Sequence, residues 1–248
     1  MGYWPVVKKV VKDSDIVLLI ADVRLPSLSL NKKLQEMIVF HGKTCVLVFT
    51  KIDMVSPAYL NRIKENYKDA FFVSGTQNIG ISKLKVHLLI MAKRMKIKSP
   101  KIGVVGYPNV GKSAIINVLV KRESAKVSAH AGTTRGIQWI RSNNLLILDS
   151  PGVIPFEDDE AALGILGAKN PERLKNIEKV AFELIRMFVN YNKNVLKELY
   201  GVEVSENYEN ILEEIGRKKG FLLKGGIVDE RRAAMQILRD WQKGKLRV

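Results

Sequence analysis

The order of four short peptides constrains this chain more than any single residue does. Thr50-Lys51-Ile52-Asp53 comes first, then Gly106-Tyr107-Pro108-Asn109-Val110-Gly111-Lys112-Ser113, then Gly132-Thr133-Thr134-Arg135-Gly136, and Asp149-Ser150-Pro151-Gly152 last. In the usual arrangement of such pieces the phosphate-gripping peptide leads and the base-reading peptide follows; here the first is second and the second is first. A rotated order still builds one pocket, because neighbouring termini can be joined and the chain reopened elsewhere. The expected fold is therefore α/β: a mostly parallel sheet with helices on both faces, built from a circularly permuted chain and followed by a small all-α domain.

The second peptide carries the most specific chemistry. Ile102-Gly103-Val104-Val105 reads as a buried strand, and Ala114-Ile115-Ile116-Asn117-Val118-Leu119-Val120 reads as a helix. Between them lies a full G-x-x-x-x-G-K-S match in the strand–loop–helix context that the motif demands. Asn109, Val110, Gly111, Lys112, Ser113 and Ala114 then supply backbone N–H groups and a helix N-terminus to phosphate oxygens. Lys112 can reach the outer phosphates, and the Ser113 hydroxyl can ligate Mg²⁺.

The other pieces also stand at the ends of apolar runs. Val46-Leu47-Val48-Phe49 leads to Thr50, Lys51 and Asp53, at the edge where doubly wound sheets bind ligands. A carboxylate at Asp53 can accept from both the ring N–H and the exocyclic amine of guanine, a pair adenine does not present. Lys51 is expected to lay its methylene stem along the base, with its charge in solvent. Thr50 stands where an Asn usually opens the motif, leaving a hydroxyl in place of an amide. Ala70–Val73 is read as a strand leading to Ser74, Gly75 and Thr76, whose N–H groups can meet the guanine carbonyl. Leu145–Leu148 leads to Asp149, a magnesium residue through water, and to Gly152, whose N–H can meet the terminal phosphate. Thr134 is the candidate metal-linked switch hydroxyl, with Thr133 as the alternative. Together these pieces specify a circularly permuted GTPase domain binding GTP or GDP.

At this point the chain resembles the circularly permuted GTPases of the YlqF/RbgA group. Asp22-Val23-Arg24-Leu25-Pro26 is similar to the family's D-A-R-x-P, Gln138-Trp139 follows the switch as in the family, and Pro155–Glu160 resembles its F-E-D-E segment. Gly220–Gly226 and Leu238–Leu246 resemble its C-terminal helical domain, so the likeness runs over essentially the whole chain. The resemblance implies a GTP-hydrolysing factor that acts on the precursor of the large ribosomal subunit through rRNA. Bacterial members open with a peptide like F-P-G-H-M-A-K, whose His is implicated in hydrolysis; Tyr3-Trp4-Pro5-Val6-Val7-Lys8-Lys9 has no His, so that role cannot be carried over. His130 is the histidine nearest the switch, while His41 and His87 read as a loop residue and a helix-face residue.

Hydrolysis raises a separate question. The position after D-x-x-G, usually a water-orienting Gln, is Val153, which can neither donate nor accept. Unassisted turnover is therefore expected to be slow. Relatives with an apolar residue there and an Asn in the phosphate loop resemble potassium-assisted enzymes, which makes Asn109 a candidate K⁺ ligand supplying the charge of an arginine finger. The catalytic candidates are thus Asn109, Lys112, Thr134 and Gly152.

Composition bears on partners. With 41 Lys+Arg against 25 Asp+Glu the formal net charge is +16, a field suited to polyanions. Lys83 through Lys101 carries seven cations without an intervening acid. A second basic concentration at the far end makes Lys218, Lys219, Arg239, Lys243, Lys245 and Arg247 the candidate RNA contacts. The single Cys45 lies in an apolar run and reads as core. No run is long enough to span a membrane and no secretory leader is visible, so the expected setting is cytoplasmic. Residues 1–155 are read as the permuted domain, with Ile16–Ile20 as its first strand and Ser29–Phe40 as a helix after it. Residues 156–248 are read as the helical domain, where apolar residues recur at helical spacing: Val180, Leu184, Met187 and Phe188, then Ile211 and Ile215, then Ala234, Ile237 and Leu238, with Gly201, Gly220, Gly225 and Gly226 as helix stops. Two rivals stay open: a nucleotide-gated RNA-binding scaffold with negligible turnover, and a GTPase acting on another structured RNA.

Overall fold

A computed structural model describes residues 4–121, 139–142, 144–154 and 159–248. Its chain forms two compact units, 1–155 and 156–248. The first opens with α1 (Trp4–Asp13), whose Val7, Val10 and Val11 face inward, then β1 (Ile16–Asp22), buried along its whole length. Next come α2 (Pro26–Ser29), α3 (Lys32–Phe40), β2 (Thr44–Thr50), α4 (Pro57–Asn66), β3 (Phe71–Phe72) and α5 (Ile81–Arg94). The unit continues with β4 (Lys101–Gly106), α6 (Lys112–Lys121), β5 (Trp139–Ser142) and β6 (Leu145–Asp149).

The strands make one sheet in the order β3-β2-β1-β4-β6-β5, parallel except for β5, which runs antiparallel at one edge. β1 is buried on both faces because residues alternate between two helical layers. Val17 and Leu19 share a cluster with Val7, Val10 and Val11 of α1 and Leu34 and Ile38 of α3. α6 lies against β4, β5 and β6 and meets α5. The expected doubly covered parallel sheet is what the chain forms.

Register then fixes the functional edge. Asp22 pairs with Thr50, Ile20 with Gly106, and Val104 with Asp149, so the carboxyl ends of β1, β2, β4 and β6 come out side by side. The peptides that follow these four strands, Asp22–Pro26, Thr50–Asp53, Gly106–Ser113 and the one opening at Asp149, are gathered there because parallel strands all discharge at one end.

The second unit holds α7 (Glu160–Ile165), α8 (Ile177–Tyr191), α9 (Lys193–Tyr200), α10 (Tyr208–Lys218) and α11 (Glu230–Gln242). Its core is most of the expected apolar set: Val180, Leu184, Phe188, Ile211, Ile215, Ala234, Ile237 and Leu238 are buried, while Met187 is only half-buried. Trp241 adds to it, meeting Phe188 edge-on at 5.7 Å and donating its indole N–H to the Ile165 carbonyl at 2.7 Å.

Several local expectations are corrected. The helix read over Ser29–Phe40 breaks, because the Asn31 side chain accepts from Leu34 N at 3.0 Å and caps a new helix. The strand read over Ala70–Val73 shortens to Phe71–Phe72. Cys45 is exposed, not core, since β3 pairs only with Val48 and Phe49 and leaves the start of β2 uncovered. Gly225 and Gly226 do not stop a helix; they turn a short hairpin closed by the Leu222–Val228 bridge. His41 is the residue capping the end of α3, and His87 rests against the Phe71 ring at 4.8 Å.

Candidate functional site

The phosphate loop runs from the end of β4 into α6. Pro108, Asn109, Lys112, Ser113, Ser150, Pro151 and Gly152 line one cavity of about 390 Å³. Asn109 sits at φ 59°, a left-handed conformation that Asn tolerates better than most side chains. Lys112 is buried and folds back over the loop, donating to the Tyr107 carbonyl at 2.7 Å and the Gly106 carbonyl at 3.3 Å. Ser113 is exposed at the start of α6, on the cavity wall.

The Asp-Ser-Pro-Gly peptide closes the other side. Ser150 is buried and donates to the Val104 carbonyl at 2.6 Å, which ties the peptide to the strand carrying the phosphate loop. Gly152 has no room for a side chain: a Cβ there would stand 2.5 Å from Pro108 N and 2.7 Å from its Cα. Its backbone thus lies directly against the phosphate loop. Val153 points the other way, buried in the cluster under α1 and α3, while its N–H reaches the Gly106 carbonyl at 3.3 Å. Trp4 of α1 donates its indole N–H to the next carbonyl, Ile154, at 3.3 Å.

On the base side Thr50 is buried, and its hydroxyl donates to the Val110 carbonyl while lying 3.1 Å from the Ala21 carbonyl. It therefore clamps the end of β2 to the phosphate loop. Asp53 Oδ2 accepts from the Thr76 hydroxyl at 3.3 Å, and Ser74 Oγ lies 3.0 Å from the same hydroxyl. Asp53 Oδ1 is buried with no protein partner, an acceptor held open in a place where a lost hydrogen bond is costly. Gly75 approaches so closely that a Cβ would lie 2.9 Å from the Ala114 Cβ, which brings the Ser74–Thr76 turn against the first turn of α6. The open carboxylate oxygen and the glycine-lined loop fit a guanine nucleotide: one meets N–H donors of a base, the other a chain of phosphates.

Lys51 corrects its expectation. Its ammonium is not in solvent; it pairs with the buried Asp22 carboxylate at 2.7 Å. Arg24 holds the same carboxylate, with Nη2 at 2.8 Å and its backbone N–H at 3.0 Å. The left-handed backbone at Lys51, φ 61°, turns the side chain toward β1. Burial pushes the Asp22 carboxyl upward, but the Arg24 and Lys51 cations outweigh it and hold it below the ordinary carboxylate value. Burial lowers the Lys51 ammonium, with Asp22 opposing. Asp22 and Arg24 are absent from the site residues read from sequence. The signal was present, since Asp-Val-Arg-Leu-Pro stands at the end of a strand next to that of Thr50, but only register shows the contact.

Asp149 ends β6, with only its backbone described. Thr133, Thr134 and His130 lie outside the described residues. Of the candidate RNA contacts, Lys218 pairs with Glu214 at 3.4 Å, Arg239 with Glu172 at 2.7 Å, and Lys245 with the buried Asp240 at 2.8 Å. Lys219 lies over the Tyr200 ring at 5.6 Å, and Lys243 and Arg247 are exposed. No helix among the described residues is long and apolar enough to cross a membrane.

A permuted parallel sheet with a phosphate loop, a base-side carboxylate and a glycine docked on the loop defines a nucleotide-binding domain of the GTPase class. Residues 5–158 match the family model described as RsgA GTPase, and residues 101–223 match that of the 50S ribosome-binding GTPase. The chain is 36% identical to an uncharacterised GTP-binding protein of Methanocaldococcus jannaschii, over 97% of this chain and 65% of that protein. It is 31% identical to ribosome biogenesis GTPase A of Priestia megaterium, over 94% of this chain and 86% of that protein. The GNP-bound crystal structure of YlqF from T. maritima superposes with a TM-score of 0.64 at 22% identity, covering 98% of this chain and 94% of that one. The chain belongs to the circularly permuted GTPases of the YlqF/RbgA family.

Proposed function

We propose that this chain binds and hydrolyses GTP and uses its nucleotide state to act on the precursor of the large ribosomal subunit through rRNA, in the cytoplasm. The observation that carries the nucleotide half is the gathering of Asp53, the Ser74–Thr76 turn, the phosphate loop and Gly152 at one sheet edge, with Asp53 Oδ1 left open. The ribosomal half is supported by relatives named for ribosome biogenesis, of which the P. megaterium protein is covered over most of its length.

The roles follow from chemistry. Asp53 accepts from the guanine ring N–H and amine, and Ser74, Gly75 and Thr76 face the base carbonyl. Thr50 and Lys51 fix the base side: one by its clamp on Val110, the other by its pair with Asp22. Val110, Gly111, Lys112 and Ala114 grip the phosphates, Lys112 exchanging its loop carbonyls for phosphate oxygens. Ser113, Thr134 and Asp149 hold magnesium, which when bound neutralises charge on the phosphate oxygens. Asn109 holds a potassium ion, whose charge supplies what an arginine finger supplies elsewhere. Gly152 offers its N–H to the terminal phosphate. Lys218, Lys219, Arg239, Lys243, Lys245 and Arg247 face rRNA.

Val153 favours one second reading. With an apolar, buried side chain after Gly152, no group there orients water, which suits a nucleotide-gated scaffold with negligible turnover. GTP hydrolysis measured with and without large-subunit particles decides between them. We expect stimulation by the particles. Turnover indistinguishable from buffer in both conditions would remove the enzyme and leave the scaffold.

A further inference from the structure

The helical unit carries an apolar feature that its core does not use. Between α10 and α11 the chain makes a hairpin: Leu222 bridges Val228, Leu223 N donates to the Ile227 carbonyl at 2.8 Å, and Gly226 N donates to the Leu223 carbonyl at 3.2 Å. Asp229 N closes its base on the Phe221 carbonyl at 2.8 Å. Val228 is buried, which anchors one strand. The rest projects: Leu222 is 49% exposed, Leu223 55% and Ile227 65%. Single exposed leucines need no explanation, but three large aliphatics on one hydrogen-bonded tip form a patch.

Charge around the tip selects its occupant. From Gly220 to Arg232, through the hairpin and into α11, the sequence holds three cations, Lys224, Arg231 and Arg232, against two acids, Asp229 and Glu230. Asp229 is occupied in capping α11, accepting from Arg232 N at 3.0 Å. Lys224 stands on the tip itself, and the Arg232 guanidinium lies 4.5 Å from the Phe221 ring centroid at the hairpin's base. An apolar point with Lys224 on it and Arg232 at its base matches a polyanion that offers an apolar surface at one place. Paired RNA hides its base faces, whereas loops and bulges splay them out. In duplex DNA, aliphatic side chains are established wedges between base steps.

We infer that the 221–228 hairpin is an apolar wedge that seats Leu222, Leu223 and Ile227 against an unstacked base of a structured RNA, while Lys224 and Arg231 meet the flanking phosphates. This rests on the proposed RNA binding by the helical unit and adds the part of RNA it takes: an unpaired nucleotide beside a helix.

The test uses the full chain and two RNA probes: a stem-loop with 2-aminopurine in its loop, and the same strand annealed to its complement. Wild type is expected to prefer the stem-loop and to change the probe's fluorescence. Leu222→Ser/Leu223→Ser/Ile227→Ser, at positions the core does not use, should weaken stem-loop binding about tenfold, within the range of one base stack. It should also abolish the fluorescence change, with duplex affinity, GTP affinity and the salt slope kept. Lys224→Ala/Arg231→Ala should instead flatten the log–log salt slope by roughly 1.4–1.8 and keep the fluorescence change. If wild type binds both probes and the triple variant behaves identically, the wedge is overturned and RNA binding stands. If wild type binds neither probe, RNA binding by this unit falls and the wedge falls with it. Kept RNA binding with lost capture of RNA-free ribosomal proteins also overturns the wedge, and gives the tip to a protein groove.

Discussion

At the residue scale, the two aspartates divide the base side between them. Asp53 has an oxygen waiting for a donor, and Asp22 has every need met by cations. Asp53→Asn should weaken GTP by about 1–3 kcal/mol and gain affinity for xanthosine triphosphate, because the new amide donor faces a carbonyl in xanthine. Titration of both nucleotides checks it; equal GTP affinity in mutant and wild type would sink the assignment. Asp22→Asn leaves Arg24 and Lys51 buried without their anion, and should cost about 3–5 kcal/mol in denaturant unfolding. Its pH signature has a fixed sign. The folded carboxyl titrates below its ordinary value of 3.8, so the stabilisation is present above that value and lost as pH falls through the lower folded one. Melts across this acid range should steepen for wild type and lose that component in Asp22→Asn. Gly152→Ala forces a methyl onto the Pro108 backbone. The expected result is GTP-analogue affinity down about tenfold with GDP affinity kept, because the displaced N–H serves only the terminal phosphate.

At the element scale, legibility followed periodicity and failed where a single side chain redirects the backbone. The buried strand β1 and the stripes of α8, α10 and α11 were readable because burial on one or both faces imposes a period. Asn31 split a helix by capping, and α1 went unread although Val7, Val10 and Val11 sit at helical spacing, since valines by themselves suggest strand. The phosphate loop carries its own prediction. GTP hydrolysis, with saturating large-subunit particles, should run faster in potassium than in sodium at equal ionic strength. The difference should shrink in Asn109→Gly, which removes the amide yet accommodates φ 59°, where alanine adds strain. Equal rates of wild type in the two salts would refute the cation role.

For the whole molecule, the helical unit follows Gly152 in the sequence through a few residues, so a change in contacts at the terminal phosphate is covalently tethered to it; ordering and release of such switches on hydrolysis is an established response. A non-hydrolysable GTP analogue should therefore retain the protein on large-subunit precursors in a sedimentation assay, and GDP should release it. Equal retention would leave a basic nucleotide-binding protein and no switch. Lys243→Ala/Arg247→Ala should flatten the salt dependence of RNA binding by up to about 1.4–1.8 in log–log slope. Lys245 is left out because it neutralises the buried Asp240 carboxylate, and its loss would mix folding with binding. What the sequence determined by itself was the class of pocket: motif residues are local chemistry, and their rotated order survives because termini can be rejoined without moving the strands. What tertiary structure decided was which groups share that pocket's walls. Strand register put Asp22 beside Thr50 and so turned Lys51 away from solvent, packing set Gly75 against the first turn of α6 and Gly152 against the phosphate loop, and within the helical unit Glu172 came to pair with Arg239. Those contacts join positions far apart in sequence, where no period or motif records them.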